Sequence, residues 1–211
     1  MEERVCLVIV AHPDDAELAM GGTLQKLKAN GIRTVVAVIS TGLSDIEQKK
    51  RREKSAQKSA DNIGFELIWP YALDYKQVED IKTYDLVSSL DKLISEYSPS
   101  CIFSHWEHDS HTDHRLIANA LLASSRKTKA DIIAFPPADL STSQAYVFSP
   151  NYFVDISDYV DNKYKSIEMY NYLDRGYRSL NIDDYRRRDA YFGIVAQCSF
   201  SEAFLIIRKI S

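Results

Sequence analysis

The sequence has little cysteine, and no two cysteines have the C-x-x-C spacing of a metal-binding or redox motif. The three cysteines of this 211-residue chain are Cys6, Cys101 and Cys198. Because Cys6 and Cys101 lie inside apolar runs typical of strands, we expect buried, reduced thiols rather than disulfides or metal ligands. A chain of this length buries enough apolar surface to fold without covalent cross-links.

Long hydrophobic runs and an excess of positive charge are also lacking. The first apolar run spans only residues 5–11, no basic signal-peptide start precedes it, and nothing approaches the roughly 18–20 apolar residues of a membrane span. With 26 Lys+Arg against 30 Asp+Glu, the net charge of −4 argues against a nucleic-acid-binding protein. We therefore expect a cytoplasmic protein without a membrane span that acts on a small-molecule substrate. The aromatic C-terminal third would allow a homo-oligomer.

Glycine-rich phosphate-binding motifs are absent as well. Neither the dinucleotide-binding pattern G-x-G-x-x-G nor the P-loop pattern occurs, and Gly21-Gly22 comes too late after the first strand to replace them. A non-catalytic module that binds a nucleotide or a nucleotide sugar is therefore an alternative without support from a motif.

The first two thirds of the chain alternate between apolar β-type runs and helical patterns. Residues 5–10 and 34–39 are apolar at nearly every position, which is typical of parallel strands covered on both faces. We place the helix between them at residues 23–30, opened by Gly21-Gly22. The alternation predicts an α/β fold, namely a Rossmann-like, doubly wound, mostly parallel sheet with helices on both faces.

The remaining elements follow the same rules. The first part continues with helices at 47–62, 80–97 and 113–127 and strands at 65–69, 101–104 and 131–135. Beyond it we predict strands at 144–148, 152–154 and 203–210 and helices at 158–174 and 183–197. No linker rich in Gly, Ser or Pro separates the two parts. We therefore expect a single domain over residues 1–211, with a regular α/β part at 1–135 and a C-terminal continuation at 136–211.

All five histidines follow predicted strands. One lies in A-H-P-D-D-A-E at residues 11–17, and the other four follow the strand at 101–104, two of them in H-T-D-H-R at residues 111–115. Ligands of open α/β sheets bind outside the carboxyl ends of strands, so both clusters could face one crevice. Two imidazoles and one carboxylate leave room for water and substrate, as in catalytic zinc sites. Either cluster alone could be a helix cap or solvated surface, but together they predict a metal site.

The two clusters resemble the motifs of the PIG-L/LmbE family of metal-dependent N-deacetylases. This family includes deacetylases of N-acetylglucosaminyl phosphatidylinositol, of mycothiol and bacillithiol precursors, and of chitobiose. Arg52, residues 150–157 and residues 200–204 also resemble family positions, so the resemblance spans almost the whole chain. The chain departs from the family at Thr112, which replaces a Pro, at Phe192, where Arg is common, and in lacking Ser-Gln near residues 169–173. The last two departures concern substrate contacts.

The resemblance implies a role for each residue of the two motifs. The implied ligands of Zn²⁺ are His12, Asp15 and His114. A site with two His and one carboxylate also suits Fe²⁺. Asp14 would be the general base that takes a proton from the attacking water. His111, protonated and oriented by Asp113, would stabilise the oxyanion. The proton for the leaving amine could come from Asp14 or His111.

Three further residues are candidates for substrate binding. Arg52 would contact a hydroxyl or phosphate group of the substrate, although its helix also reads as an ordinary solvated charged face. His105 and Trp106 could line the mouth of the crevice, with the indole stacked on a sugar ring, or could be surface and packing residues. The implied activity is zinc-dependent removal of the N-acetyl group from an N-acetylated amino sugar of the N-acetylglucosamine type, or its conjugate. A metal-dependent amidase for a non-sugar amide would use the same site and stays open.

Overall fold

The computed structural model describes residues 4–71, 77–137, 146–170 and 181–210. Its strands are β1 (Val5–Val10), β2 (Arg33–Val38), β3 (Glu66–Ile68), β4 (Cys101–Ser104), β5 (Asp131–Ala134), β6 (Tyr152–Asp155) and β7 (Ser201–Arg208). Its α-helices are α1 (Asp15–Ala29), α2 (Ile46–Ile63), α3 (Thr83–Tyr97), α4 (Thr112–Ser124), α5 (Val160–Glu168) and α6 (Ile182–Ala196). The strands form one sheet in the order β3-β2-β1-β4-β5-β7-β6.

The sheet is parallel from β3 to β5 and antiparallel at its C-terminal edge. Strand β7 runs antiparallel to β5, and β6 runs antiparallel to β7. This confirms the predicted mostly parallel α/β fold, and the C-terminal strands join the same sheet as the regular part. The strand order reverses between β1 and β4, which are hydrogen-bonded neighbours. A reversal of this kind leaves a crevice at the carboxyl ends of the two strands.

The central strand β1 is buried along its whole length because helices cover both faces of the sheet. Leu7 and Ile9 pack with residues of α3 and α4, whereas Cys6, Val8 and Val10 pack with residues of α1 and α2. The side chains of a strand alternate between the two faces, so a strand covered on both sides must be apolar throughout. This explains why the sequence pattern located β1 correctly.

Helix α1 begins at Asp15 rather than at the predicted residue 23, and the reason is a break inside it. Met20 has non-helical backbone angles, with φ −146° and ψ 24°. Just beyond it, the main-chain N–H groups of Gly22 and Thr23 donate to the Glu202 carboxylate at 2.9 and 2.7 Å. The glycine pair therefore marks a second helical start, which a distant carboxylate from β7 caps. The first segment, which begins in the His-Pro-Asp-Asp turn, was missed.

Several other predicted elements differ from the observed ones. The helix predicted at 80–97 begins at Thr83, and the helix predicted at 113–127 ends at Ser124. Residues 146–148 are not a strand, and residues 144–145 of that prediction lie outside the described part of the chain. The helix predicted at 158–174 is α5, which ends at Glu168. Residues 171–174 of that prediction also lie outside the described ranges. In the described ranges, no helix combines the length and the apolar character needed to cross a membrane.

Candidate metal centre

The two histidine clusters meet at the carboxyl ends of β1 and β4, as their positions in the sequence predicted. His12 follows β1, while His111 caps the N-terminus of α4 and His114 lies in its first turn. The ring centroid of His12 is 5.2 Å from that of His111 and 5.8 Å from that of His114. The crevice at the strand-order reversal thus contains groups that arrive from two different segments of the chain.

Three buried side chains offer donor atoms at metal-binding distances. His12, Asp15 and His114 place one donor atom each within 4.8 Å of one another. Asp15 Oδ2 lies 3.7 Å from His12 Nδ1 and 3.5 Å from His114 Nε2. Ligand bonds of about 2.0–2.1 Å to a tetrahedral zinc ion separate neighbouring donor atoms by about 3.4 Å. The donor types and their spacing therefore fit a divalent metal such as Zn²⁺ or Fe²⁺.

The charges of these groups depend on their burial and on one another. Burial raises the pKa of Asp15, but the neighbouring His114, His105 and His12 outweigh it and hold the pKa well below its usual range. Burial lowers the pKa of His114, but the carboxylates of Asp15 and Asp109 outweigh it and raise the pKa to about 10. The centre therefore contains an ionised carboxylate, the form that binds a cation.

The imidazoles of His12 and His114 each contact a further carboxylate on the side away from Asp15. Asp113 Oδ2 lies 3.0 Å from His12 Nε2, and Asp109 Oδ2 lies 3.0 Å from His114 Nδ1. In each ring the other nitrogen faces Asp15. Carboxylates that bind the far nitrogen of a ligand histidine fix its tautomer and orientation. The sequence reasoning missed Asp109, although a carboxylate five residues before His114 was a usable signal.

Asp113 contacts both His12 and His111, through different atoms. Its carboxylate binds His12 and accepts from the main-chain N–H groups of Val78 and Glu79 at 3.1 and 3.2 Å. Its own main-chain N–H donates to His111 Nδ1 at 3.2 Å, because the His111 ring caps helix α4. Burial, His114 and His12 lower the pKa of His111. The lowered pKa and the capping hydrogen bond that Nδ1 accepts both favour a neutral ring with its proton on Nε2.

Asp14 lies at the start of α1 in a backbone conformation that residues other than glycine rarely adopt. Its φ is +86°, and only 2% of the residue is exposed. The Arg52 guanidinium of α2 donates to Asp14 Oδ1 at 3.2 Å, to the Pro13 carbonyl at 3.0 Å and to the Thr41 carbonyl at 2.6 Å. Strain of this kind persists only where surrounding contacts hold it in place. The structure thus gives Arg52 a positioning contact with Asp14 and leaves its side chain only 12% exposed.

His105 and Trp106 lie in the interior, each with a relative exposure of 4%. His105 Nε2 accepts from the main-chain N–H of Ala11 at 2.9 Å, and its ring stacks on His114 with centroids 3.9 Å apart. The Trp106 ring packs edge-on against Phe148. Of the two readings of these residues, burial favours packing, because neither ring presents an open face to a substrate.

Comparison with known proteins agrees with this geometry. A family profile described as GlcNAc-PI de-N-acetylase, PIG-L, matches residues 7–125, more than half of the chain. The diacetylchitobiose deacetylase of Thermococcus kodakarensis is 28% identical over 221 aligned positions, which cover 95% of this chain and 82% of that protein.

Two solved structures share the fold. The N,N′-diacetylchitobiose deacetylase of Pyrococcus horikoshii has a TM-score of 0.80 at 22% identity, covering 98% of this chain and 84% of its own. A 4-carboxy-2-hydroxymuconate hydratase of Pseudomonas putida has a TM-score of 0.78 at 18% identity, covering 99% and 98%. Since a hydratase shares the architecture, the fold alone does not specify the reaction. The family profile spans both histidine clusters, and on this match the chain belongs to the PIG-L family, the GlcNAc-PI de-N-acetylase family.

Proposed function

We propose that this chain is a metal-dependent N-deacetylase that acts on an N-acetylated amino sugar of the N-acetylglucosamine type, or on its conjugate. The observation that carries the proposal is the convergence of His12, Asp15 and His114 beside Asp14 and His111 in one crevice. The relative named for diacetylchitobiose and the family named for GlcNAc-PI support this substrate class.

The metal ligands in this proposal are His12, Asp15 and His114. A divalent cation bound there would polarise the acetamide carbonyl and lower the pKa of a water molecule. Asp14 immediately precedes one of the ligands, and its carboxylate is the general base that takes the proton of the attacking water. Arg52 holds Asp14 Oδ1 and the turn in which it lies, so the base keeps one orientation through the reaction.

His111 is the group that stabilises negative charge on the carbonyl oxygen. Its Nδ1 accepts the capping hydrogen bond, so Nε2–H is the donor that the ring can offer to the substrate. A preorganised donor of this kind contributes most in a buried site with little water. Because His111 is a neutral ring at the start of the proposed reaction, Asp14 is the residue that gains a proton in the first step. We therefore assign the return of that proton to the leaving amine to Asp14.

The test is a substrate panel with the metal-loaded protein. We expect acetate and free amine in equal amounts from N-acetylglucosamine, diacetylchitobiose or a sugar conjugate, and much less from N-acetyl amino acids. The reverse preference would favour the non-sugar amidase. Addition of water to a substrate double bond, without release of acetate, would instead indicate a hydratase activity. Bound nucleotide without metal would favour a binding module.

Asp14→Asn tests the assigned base within the same panel. The substitution keeps the shape of the side chain but removes the proton acceptor, so turnover should fall by about 10²–10⁴-fold. The metal content should stay at the wild-type level, because Asp14 is not among the proposed ligands. Turnover near the wild-type rate in a folded, metal-loaded variant would rule out this role.

A further inference from the structure

Two of the three cysteines, distant in sequence, lie side by side in the sheet. Cys6 of β1 and Cys101 of β4 are register partners on adjacent parallel strands. Neighbouring strands lie about 4.8 Å apart, and directly opposite side chains point to the same face of the sheet. Disulfide geometry requires Cα atoms about 4.4–6.8 Å apart, a range that includes this general strand spacing.

The two thiols interact and differ in access to solvent. Cys6 is fully buried, whereas Cys101 is half-buried at the first position of β4. The neighbouring Cys101 thiol and burial raise the pKa of Cys6, whereas the Cys6 thiol lowers the pKa of Cys101 against the opposing effect of burial. Cys101 is therefore the accessible member with more thiolate character, and Cys6 is a protected thiol behind it.

We propose that Cys6 and Cys101 are a redox-active thiol pair that a hydroperoxide converts into a disulfide between β1 and β4. The Cys101 thiolate attacks the peroxide, the O–O bond breaks, and an alcohol or water leaves after taking up a proton. Cys6 sulfur then attacks the resulting Cys101 sulfenic acid, the S–O bond breaks, and water leaves with the Cys6 proton. Two thiols are oxidised to one disulfide as the peroxide is reduced.

The pair lies at the opposite end of the strands from the metal centre. His12 follows Cys6 by six positions along β1 and the following turn, a span of roughly 20 Å in extended chain. The thiol pair is therefore independent of the proposed deacetylation, and oxidation of the pair should leave the catalytic residues in place.

The experiment treats the reduced full-length protein with hydrogen peroxide, alkylates the remaining thiols in denaturant and maps tryptic peptides by mass spectrometry. We expect a linked peptide pair containing Cys6 and Cys101 that dithiothreitol separates, with Cys198 still alkylated. The matched control is Cys198→Ser, because Cys198 is also half-buried but its thiol donates to the Phe200 carbonyl at 3.3 Å. That variant should form the same linked pair.

Two variants separate the roles of the pair. Cys101→Ser should abolish the linked peptide, and Cys6→Ser should leave a Cys101 sulfenic acid that a cyclic 1,3-diketone captures. If Cys6→Ser does not fold, the wild type and Cys101→Ser still decide the question. Oxidation of Cys101 to sulfinic acid without a linked peptide in the wild type would overturn the proposal. So would preferential oxidation of Cys198, or a folded protein whose Cys6 and Cys101 stay fully reduced.

Discussion

The orientation of two histidine rings in the candidate metal centre depends on the contacts of their individual ring nitrogens. His12 and His114 each bind a carboxylate with the far nitrogen and face Asp15 with the near one. Asp113 was expected from the sequence to orient His111, and in the structure its main-chain N–H contacts His111 while its carboxylate contacts His12. Residue spacing identifies which groups meet in a crevice. It does not identify which atom contacts which, because side-chain orientation depends on packing.

Asp109→Asn tests the support behind His114. Loss of the charged partner should weaken metal binding about 10–100-fold, since such carboxylates orient ligand histidines and raise their basicity. Competition with a fluorescent chelator measures this affinity. The matched control is Glu107→Gln, a partly exposed carboxylate of the same loop, which should bind metal like the wild type. Equal affinity in Asp109→Asn and the wild type would contradict the assigned role.

Arg52→Lys distinguishes a positioning role from direct substrate contact. Lysine keeps the charge but lacks the planar fork that donates to Asp14 and two carbonyl groups, so kcat should fall at least about tenfold. The KM and the metal content should change little. Arg51→Lys, on the neighbouring exposed position, is the matched control. A rise in KM with unchanged kcat would instead support the substrate contact that the sequence suggested.

At the scale of elements, a buried charge cluster joins helix α1 to the C-terminal part of the chain. Glu202 of β7 caps the second segment of α1, and Lys163 of α5 donates to Glu202 at 2.8 Å and to Asp189 at 2.5 Å. The side chains of Lys163, Glu202 and Asp189 are fully buried. No local pattern around α1 could reveal a cap that arrives about 180 residues later in the chain. The glycine pair nevertheless located this second segment in the sequence, and the segment that was missed is the first one, which begins at Asp15.

Glu202→Gln measures what this cluster contributes to stability. Loss of one buried charge leaves Lys163 incompletely compensated, so the free energy of unfolding should fall by about 3–5 kcal/mol. Urea denaturation followed by circular dichroism gives this value. Glu66→Gln is the matched control, because Glu66 pairs with Arg33 at 2.6 Å on the surface and should cost less than about 1 kcal/mol. Similar losses in the two variants would show that the buried cluster has no special role.

How well the sequence predicted an element depended on how completely that element is buried. Strands β1 and β4 were placed correctly because a strand covered on both faces is apolar at nearly every position. The pairing of Cys6 with Cys101 did not follow from the sequence, since strand order and register depend on contacts between distant segments.

At the scale of the whole molecule, the reversal of strand order between β1 and β4 builds the site. It brings the loop after β1 next to the loop after β4, and both loops carry histidines and carboxylates. The sequence predicted this convergence because all five histidines follow strands. The chemistry that the site performs depends on the side chains placed there, because a hydratase is built on the same architecture.

Metal binding should stabilise the folded chain as a whole. A ligand present at 100 times its Kd adds about 2.7 kcal/mol to the free energy of unfolding if it binds only the folded state. Calorimetry should therefore show a higher Tm after Zn²⁺ is added to chelator-treated protein. The shift should disappear in His12→Ala, whereas an equal shift in that variant would indicate binding elsewhere.

The metal content of the purified protein tests the central claim most directly. Plasma emission spectrometry of the wild type should give about one divalent ion per chain, as expected for a single three-ligand site. His12→Ala and His114→Ala should lose the ion, while His108→Ala, whose ring stacks on Tyr146, should retain it. A wild type that holds no metal even after incubation with Zn²⁺ or Fe²⁺, or metal retained by both ligand variants, would contradict the account.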